Sequence, residues 1–346
     1  MSKPVLFANK LFSTIFASLV FTQFVFAGDK NDTTESITTE HVVVHAPSLI
    51  GNLEGNSPDR SVIVYLPPGY KNHTDKRYPV VYALHGYSIN NDIWTTEIKT
   101  PQSIEAAFVN GAKEMIVVLP NSQTIHNGSM YSSSVTTGDW ESFIADDLVK
   151  YIDAHYRTIA NRDHRGLAGH SMGGYGTIRI GMKRPDVFSA LYSMSPCCLS
   201  AREAPPTELL AKYAALKSPK ESASLGFFER ATLAAASAWS PNPNKPPFYF
   251  DLPSGNDTNS VLARWAANAP NSMVSQYVFS LRKYNAIAID VGDRDFLKND
   301  AEELNKILQE FSLKAQFEIY KGDHVSGVAE RFEKHVIPFF SDQLSK

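Results

Sequence analysis

Gly169-His170-Ser171-Met172-Gly173-Gly174 constrains this chain more than any other stretch. The short, largely apolar run Arg165-Gly166-Leu167-Ala168 precedes it, and Tyr175 to Met182 after it can be helical. A Gly-x-Ser-x-Gly turn between a strand and a helix is the setting of a nucleophile elbow. Such a turn is tight enough that flanking side chains would clash, so glycine stands on both sides of the serine. The serine backbone is strained and its hydroxyl exposed. The helix that starts there points its first amides at any negative charge formed beside it. A Gly-rich turn with an incidental serine has the same letters. The functional reading therefore depends on whether the rest of the chain supplies a base, an acid and oxyanion donors.

The surrounding pattern fits. His41 to His45 and Arg60 to Leu66 read as an antiparallel opening hairpin, with a turn at Pro67-Pro68-Gly69. Tyr78 to Leu84 and Met115 to Leu119 are near-continuous apolar runs, as expected of strands buried on both faces. Helices are expected over Pro101 to Ala112 and Asp139 to Tyr156, the second with Phe143, Ile144, Leu148, Tyr151 and Ile152 as its apolar stripe. Leu191 to Met194 is another strand. After residue 272 the alternation resumes: helix from Met273, strand Ala286 to Val291, helix Ala301 to Phe311, strand Ala315 to Tyr320, and a last helix from about Val325 to Leu344. Strands alternating with helices predict an α/β fold with a mostly parallel central sheet covered by helices on both faces. The proline-rich stretch 199–272 breaks the rhythm and is read as a helical or loop insertion over the active site. Its aromatics Phe227, Phe228, Trp239, Phe248, Tyr249, Phe250 and Trp265 are expected in core rather than pocket.

The start of the chain reads as a signal peptide over residues 1–27. Lys3 and Lys10 give a positive region, Leu11 to Phe26 an apolar one, and Val25-Phe26-Ala27 a small-residue cleavage site. Residues 28–40 are polar and expected to be flexible, and 41–346 form one domain containing the insertion. The expected location is periplasmic or secreted, with no stable membrane insertion after cleavage. A net charge of −3 without a basic block argues against nucleic acid as a partner. The two cysteines, Cys197 and Cys198, are adjacent, so neither a disulfide scaffold nor a zinc site is indicated. They are read as buried thiols, with a strained vicinal disulfide as the alternative.

A serine hydroxyl needs a base to take its proton. In the chain order that accompanies this elbow, the acid follows the serine and the histidine comes last. Strand Ala286 to Val291 leads into Gly292-Asp293-Arg294-Asp295-Phe296. Asp295 is the preferred acid, just beyond a strand end, with Asp293 as its competitor and Asp290 still inside the strand. A calcium loop fails there because Leu297 and Lys298 replace an oxygen ligand and a glycine. His324, in Lys321-Gly322-Asp323-His324 after the last strand, is the candidate base. The oxyanion needs two backbone donors: Met172 N–H follows the nucleophile, and Tyr87 N–H lies in the loop after the third strand, where Gly86 permits a sharp turn. His85, Gly86, Tyr131, Trp140 and His170 are candidates for substrate contact. No cofactor or metal motif is present.

These residues also carry a resemblance. Tyr65-Leu66-Pro67-Pro68-Gly69-Tyr70, Leu84-His85-Gly86, Leu119-Pro120-Asn121, Asp139-Trp140, Asp153-x-x-Tyr156-Arg157, Ala168 to Gly176, Gly292-x-x-Asp295 and Gly322-x-His324 resemble the esterase D ("putative esterase") branch of the α/β-hydrolase superfamily. That branch includes S-formylglutathione hydrolases, feruloyl esterases, siderophore esterases and mycolyltransferase antigens. The resemblance implies an α/β-hydrolase fold, Ser171 as nucleophile, Asp295 as acid, His324 as base, and a small-molecule or polysaccharide-linked ester as substrate. One departure is Phe296 directly after Asp295. The expected activity is carboxylic-ester hydrolysis through an acyl-enzyme. Acyl transfer to an alcohol and a non-catalytic binding relative are the alternatives.

Overall fold

The computed structural model describes residues 36–344, so the expected leader lies outside the described residues. Eight strands form one sheet: β1 Thr38–His45, β2 Asp59–Leu66, β3 Val80–Leu84, β4 Ile116–Pro120, β5 Arg165–His170, β6 Ala190–Met194, β7 Ala286–Gly292 and β8 Gln316–Tyr320. Their spatial order is β1-β2-β4-β3-β5-β6-β7-β8. Only β2 runs against the others, pairing antiparallel with β1 on one side and β4 on the other, and β4, β3, β5, β6, β7 and β8 pair in parallel. This is the expected α/β sheet with its opening hairpin. One boundary differs: β1 starts at Thr38, not His41, because β2 runs on to Leu66 and offers a partner to each added residue, Thr38 opposite Leu66 and Glu40 opposite Val64. Residues 38–40 are therefore strand rather than flexible tail.

Alternation along β3 divides the core into two layers. Val80, Tyr82 and Leu84 face one layer, packed with helices that carry Leu148, Ile178, Val274 and Leu304. Val81 and Ala83 face the other, with Trp94, Ile104, Phe332 and Phe340. Successive side chains of a strand point to opposite faces, so a strand apolar at every position belongs in the middle of three layers. The described residues cluster as one compact unit that includes the 199–272 segment. That segment folds as helices Thr207–Ala215, Phe227–Trp239 and Thr258–Ala266. No helix among the described residues is long and apolar enough to cross a membrane.

Asp290 is inside β7, as the strand pattern predicts, and it is 1% exposed. Its carboxylate accepts from Tyr192 Oη–H at 2.8 Å and from Arg331 Nε–H at 2.9 Å. Burial pushes the carboxyl up to about 6, against the pull of Arg331. This pair ties the last helical segment to the sheet and takes no part in the site. Asp290→Ala is expected to destabilise the fold by about 3–5 kcal/mol, the cost of leaving a buried partner unpaired. A urea titration reads the loss as a lowered midpoint, while the rate per folded molecule is preserved.

Candidate active site

The parallel order brings four loops to one edge of the sheet. β5 is central and β3 lies beside it, so the elbow after β5 and the loop after β3 are neighbours. The loops after β7 and β8 bring Asp295 and His324 to the same edge.

Ser171 stands between β5 and the helix Met172–Lys183, with φ 57°. Its N–H donates to Met194 O at 3.0 Å, and its carbonyl accepts from Tyr175 N–H at 3.0 Å. A non-glycine residue at positive φ costs energy and persists where its surroundings over-determine it. The flanking glycines are required by close approach: a Cβ on Gly169 would overlap the Gly173 carbonyl, and one on Gly173 would overlap the Leu84 carbonyl.

Ser171 Oγ–H donates to His324 Nε2 at 2.9 Å, and His324 Nδ1–H donates to Asp295 Oδ2 at 2.9 Å. An ionised carboxylate only accepts, which fixes the histidine proton on Nδ1. Asp295 Oδ1 accepts from Leu297 N–H at 2.9 Å. Burial alone would raise the Asp295 carboxyl, but the bonds from His324 and Leu297 outweigh it and hold it below the usual range. Asp293, the competing acid, does something else. Its carboxylate accepts from Gly322 N–H at 2.9 Å and so fixes the loop that presents His324.

The site opens on a cavity of about 190 Å³ that contains Ser171 and His324. Tyr87, Met130, Phe227, Phe228, Phe296 and Leu297 give it an apolar wall, and Cys197, Cys198 and Arg202 also line it. Rings continue outward edge to face: Tyr87 to Phe227 at 5.1 Å, Phe227 to Phe228 at 5.1 Å and Phe228 to Phe296 at 6.1 Å. Phe296 then packs on His324 at 5.0 Å. A larger cavity of about 1000 Å³ lies within the insertion, beside Leu210, Tyr213, Leu233 and Phe248, and holds none of the reactive groups. Chemistry, not size, selects the smaller one.

Several expected contact residues are instead supports. His85 is 1% exposed: Nε2 accepts from Ser122 N–H at 2.9 Å and Nδ1–H donates to Gly86 O at 2.8 Å. Burial lowers its imidazole to about 4, so it stays neutral. Tyr131 is fully buried and donates to His85 O at 3.1 Å. Trp140 is also fully buried and donates to Thr137 O at 2.9 Å. His170 donates from Nε2 to the His324 carbonyl at 2.8 Å, and burial lowers it to about 4. It holds the His324 backbone from behind. Gly86 lies close under the elbow, 3.5 Å from the Ser171 Cβ by its own Cβ direction. Of the insertion aromatics, Trp239, Phe250 and Trp265 are buried as expected, but Phe227 and Phe228 are 54% and 68% exposed and belong to the cavity mouth. Two phenylalanines in the first turn of a helix, ahead of its Ala-rich buried end, were the sequence signal for that.

A family model described as "Putative esterase" matches residues 56–346. An endo-1,4-beta-xylanase/feruloyl esterase of Xylanibacter ruminicola is 34% identical over 131 residues, which is 36% of this chain and 18% of that protein. An esterase of Mycobacterium tuberculosis is 33% identical over 137 residues, 39% of this chain and 28% of that protein. The chain thus spans well under a third of the length of these two relatives. Among solved structures, a ferulic acid esterase superposes with TM-score 0.63 at 24% identity, covering 89% of this chain and 99% of that one. An S-formylglutathione hydrolase of Staphylococcus aureus gives TM-score 0.59 at 17% identity, covering 89% and 99%. At these identities the superpositions speak to the fold, which is that of the α/β-hydrolases.

Proposed function

From the premise that this chain belongs to the Putative esterase family, we propose that it is a serine hydrolase of carboxylic esters. Ser171 is the nucleophile, His324 the base and Asp295 the acid. His324 Nε2 takes the Ser171 proton as Oγ attacks the ester carbonyl carbon. Asp295 keeps the ring oriented and stabilises the imidazolium. The carbonyl oxygen becomes an oxyanion, held by the N–H groups of Tyr87 and Met172. Met172 is the first residue of its helix, and first-turn N–H groups have no intrahelical partner. Collapse of the intermediate expels the alcohol, which takes the proton from His324. Water then attacks the acyl-enzyme with the same base.

The observation that carries this reading is the pair of 2.9 Å bonds from Asp295 through His324 to Ser171 Oγ, ending in an apolar cavity. A volume of about 190 Å³ is below the usual range for larger ligands, about 300–1000 Å³, and supports an acetyl, short-chain or single feruloyl-type acyl group. The alcohol part, whether small or polysaccharide-linked, would extend outside. The charged-then-apolar pattern of Lys3 to Phe26 supports export to the periplasm or beyond.

The test uses the purified protein with a short-chain p-nitrophenyl ester and a fluorophosphonate. Hydrolysis and single labelling at Ser171 are the expected results. A folded protein that leaves Ser171 unlabelled overturns the reading.

A further inference from the structure

Cys197 and Cys198 have no part in the chemistry above, yet both line the cavity that holds Ser171 and His324. They are tied to the nucleophile through the backbone, since Cys197 N–H donates to the Ser171 carbonyl at 3.1 Å. Both are half-buried free thiols, and their sulfurs are 2.6 Å apart. The Cys198 sulfur also accepts from the Arg202 guanidinium at 2.9 Å. Arg202 itself lines the cavity and lies over the Trp239 ring at 5.1 Å. The bond donated by the Cys197 S–H lowers the Cys198 thiol to about 7, and Arg202 pulls in the same direction. The same bond, with burial, pushes Cys197 up. One sulfur of the pair is thus prepared as a thiolate and the other held as a thiol. The thiolate is the form that attacks.

We propose that Cys197 and Cys198 are a thiol-modification site in the wall of the ester cavity, with Cys198 as the attacking sulfur, Cys197 as the resolving one, and a low-molecular-weight disulfide as the reagent. The Cys198 thiolate attacks one sulfur of the reagent. The reagent S–S bond breaks, and one thiolate leaves and picks up a proton from solvent. Cys197 then loses its proton and attacks the Cys198 sulfur of the mixed disulfide, expelling the second thiolate, which is also protonated. The protein dithiol is oxidised to a disulfide and the reagent is reduced to two thiols.

The product is built to be reversible. Adjacent Cα atoms are held about 3.8 Å apart by the trans peptide, shorter than the usual disulfide span of about 4.4–6.8 Å. A disulfide outside that span is strained and more easily reduced. Position gives the modification a consequence. A peptide-sized adduct on Cys198 competes for about 190 Å³ of space with the acyl group on Ser171.

The experiment treats reduced protein with oxidised glutathione and follows intact mass, free thiols and hydrolysis of a short-chain p-nitrophenyl ester. Wild type is expected to lose both thiols without a lasting adduct. Cys197→Ser, lacking the resolving thiol, should keep one glutathionyl group on Cys198. Its hydrolysis should fall by about tenfold or more relative to its own unmodified state, and return on adding reductant. Cys198→Ser should react about tenfold more slowly than Cys197→Ser, because the remaining thiol is the protonated one. Equal rates for the two variants, or thiols left untouched in folded wild type, overturn the proposal. So does a fully glutathionylated Cys197→Ser protein that hydrolyses ester at its unmodified rate. Only the hydrolysis readout rests on the proposed function. Failure of that function shows separately, as absent fluorophosphonate labelling of Ser171, while the mass and thiol rates still decide the cysteine chemistry.

Discussion

Ser171→Ala is expected to lower kcat by about 10⁶-fold, the scale seen when a triad nucleophile is removed. The residual rate should still exceed the uncatalysed one by about 10³–10⁴-fold, because the oxyanion donors and the cavity survive. The change leaves the fold intact for a local reason. Ser171 Oγ makes its bond to His324 Nε2, while the bonds that set the elbow run through the backbone: Ser171 N–H to Met194 O, Cys197 N–H to Ser171 O. Alanine keeps these, and it keeps the strained φ of 57°. Turnover of a short-chain ester and a urea midpoint, measured on the same preparation, separate the two effects. His324→Ala should cost nearly as much, and the double variant little more, since the groups act as a unit. A Ser171→Ala protein that still hydrolyses the ester at a comparable rate would place the nucleophile elsewhere.

The sheet was legible because its physics is repetitive. Runs such as Val80 to Leu84 and Ile116 to Leu119 are apolar at every position, and that pattern belongs to strands covered on both sides. The elbow was legible because its glycines answer a close approach to Gly173 and Leu84 carbonyls that no other residue tolerates. Chain order plus strand ends pointed to Asp295 and His324, which the fold brings beside Ser171. The cavity wall was not legible. His85, Tyr131 and Trp140 sit near the reactive edge in sequence terms, but their side chains turn into the core and bond to backbone carbonyls or amides. A strand end says where the backbone emerges, not which way the next side chain points. Met130, Phe227, Phe296 and Arg202 come from four separate segments and meet only in space. Nothing local in any of them marks the meeting. The cysteine pair was visible as two adjacent letters, and its place beside Ser171 depended on the crossover from the elbow to β6.

Asp295→Asn is expected to lower kcat by about 10⁴-fold with the fold preserved. Asp295 receives two donors, Leu297 N–H on Oδ1 and His324 Nδ1–H on Oδ2. An asparagine has one oxygen and one NH₂ group. If the oxygen keeps the Leu297 bond, the NH₂ faces His324 Nδ1 and can only donate. The ring must then carry its proton on Nε2, the atom that faces Ser171 Oγ and has to accept from it. The base is present in the wrong tautomer. It also loses the negative charge that would stabilise the imidazolium in the transition state. Asp293→Asn is the matched control. Its oxygen can still accept from Gly322 N–H, so the loop presenting His324 is retained and the cost should stay within about tenfold. The readouts are kcat and the rate of fluorophosphonate labelling, both of which need a base that accepts at Nε2. If Asp293→Asn is instead the damaging change and Asp295→Asn the mild one, Asp295 is not the acid.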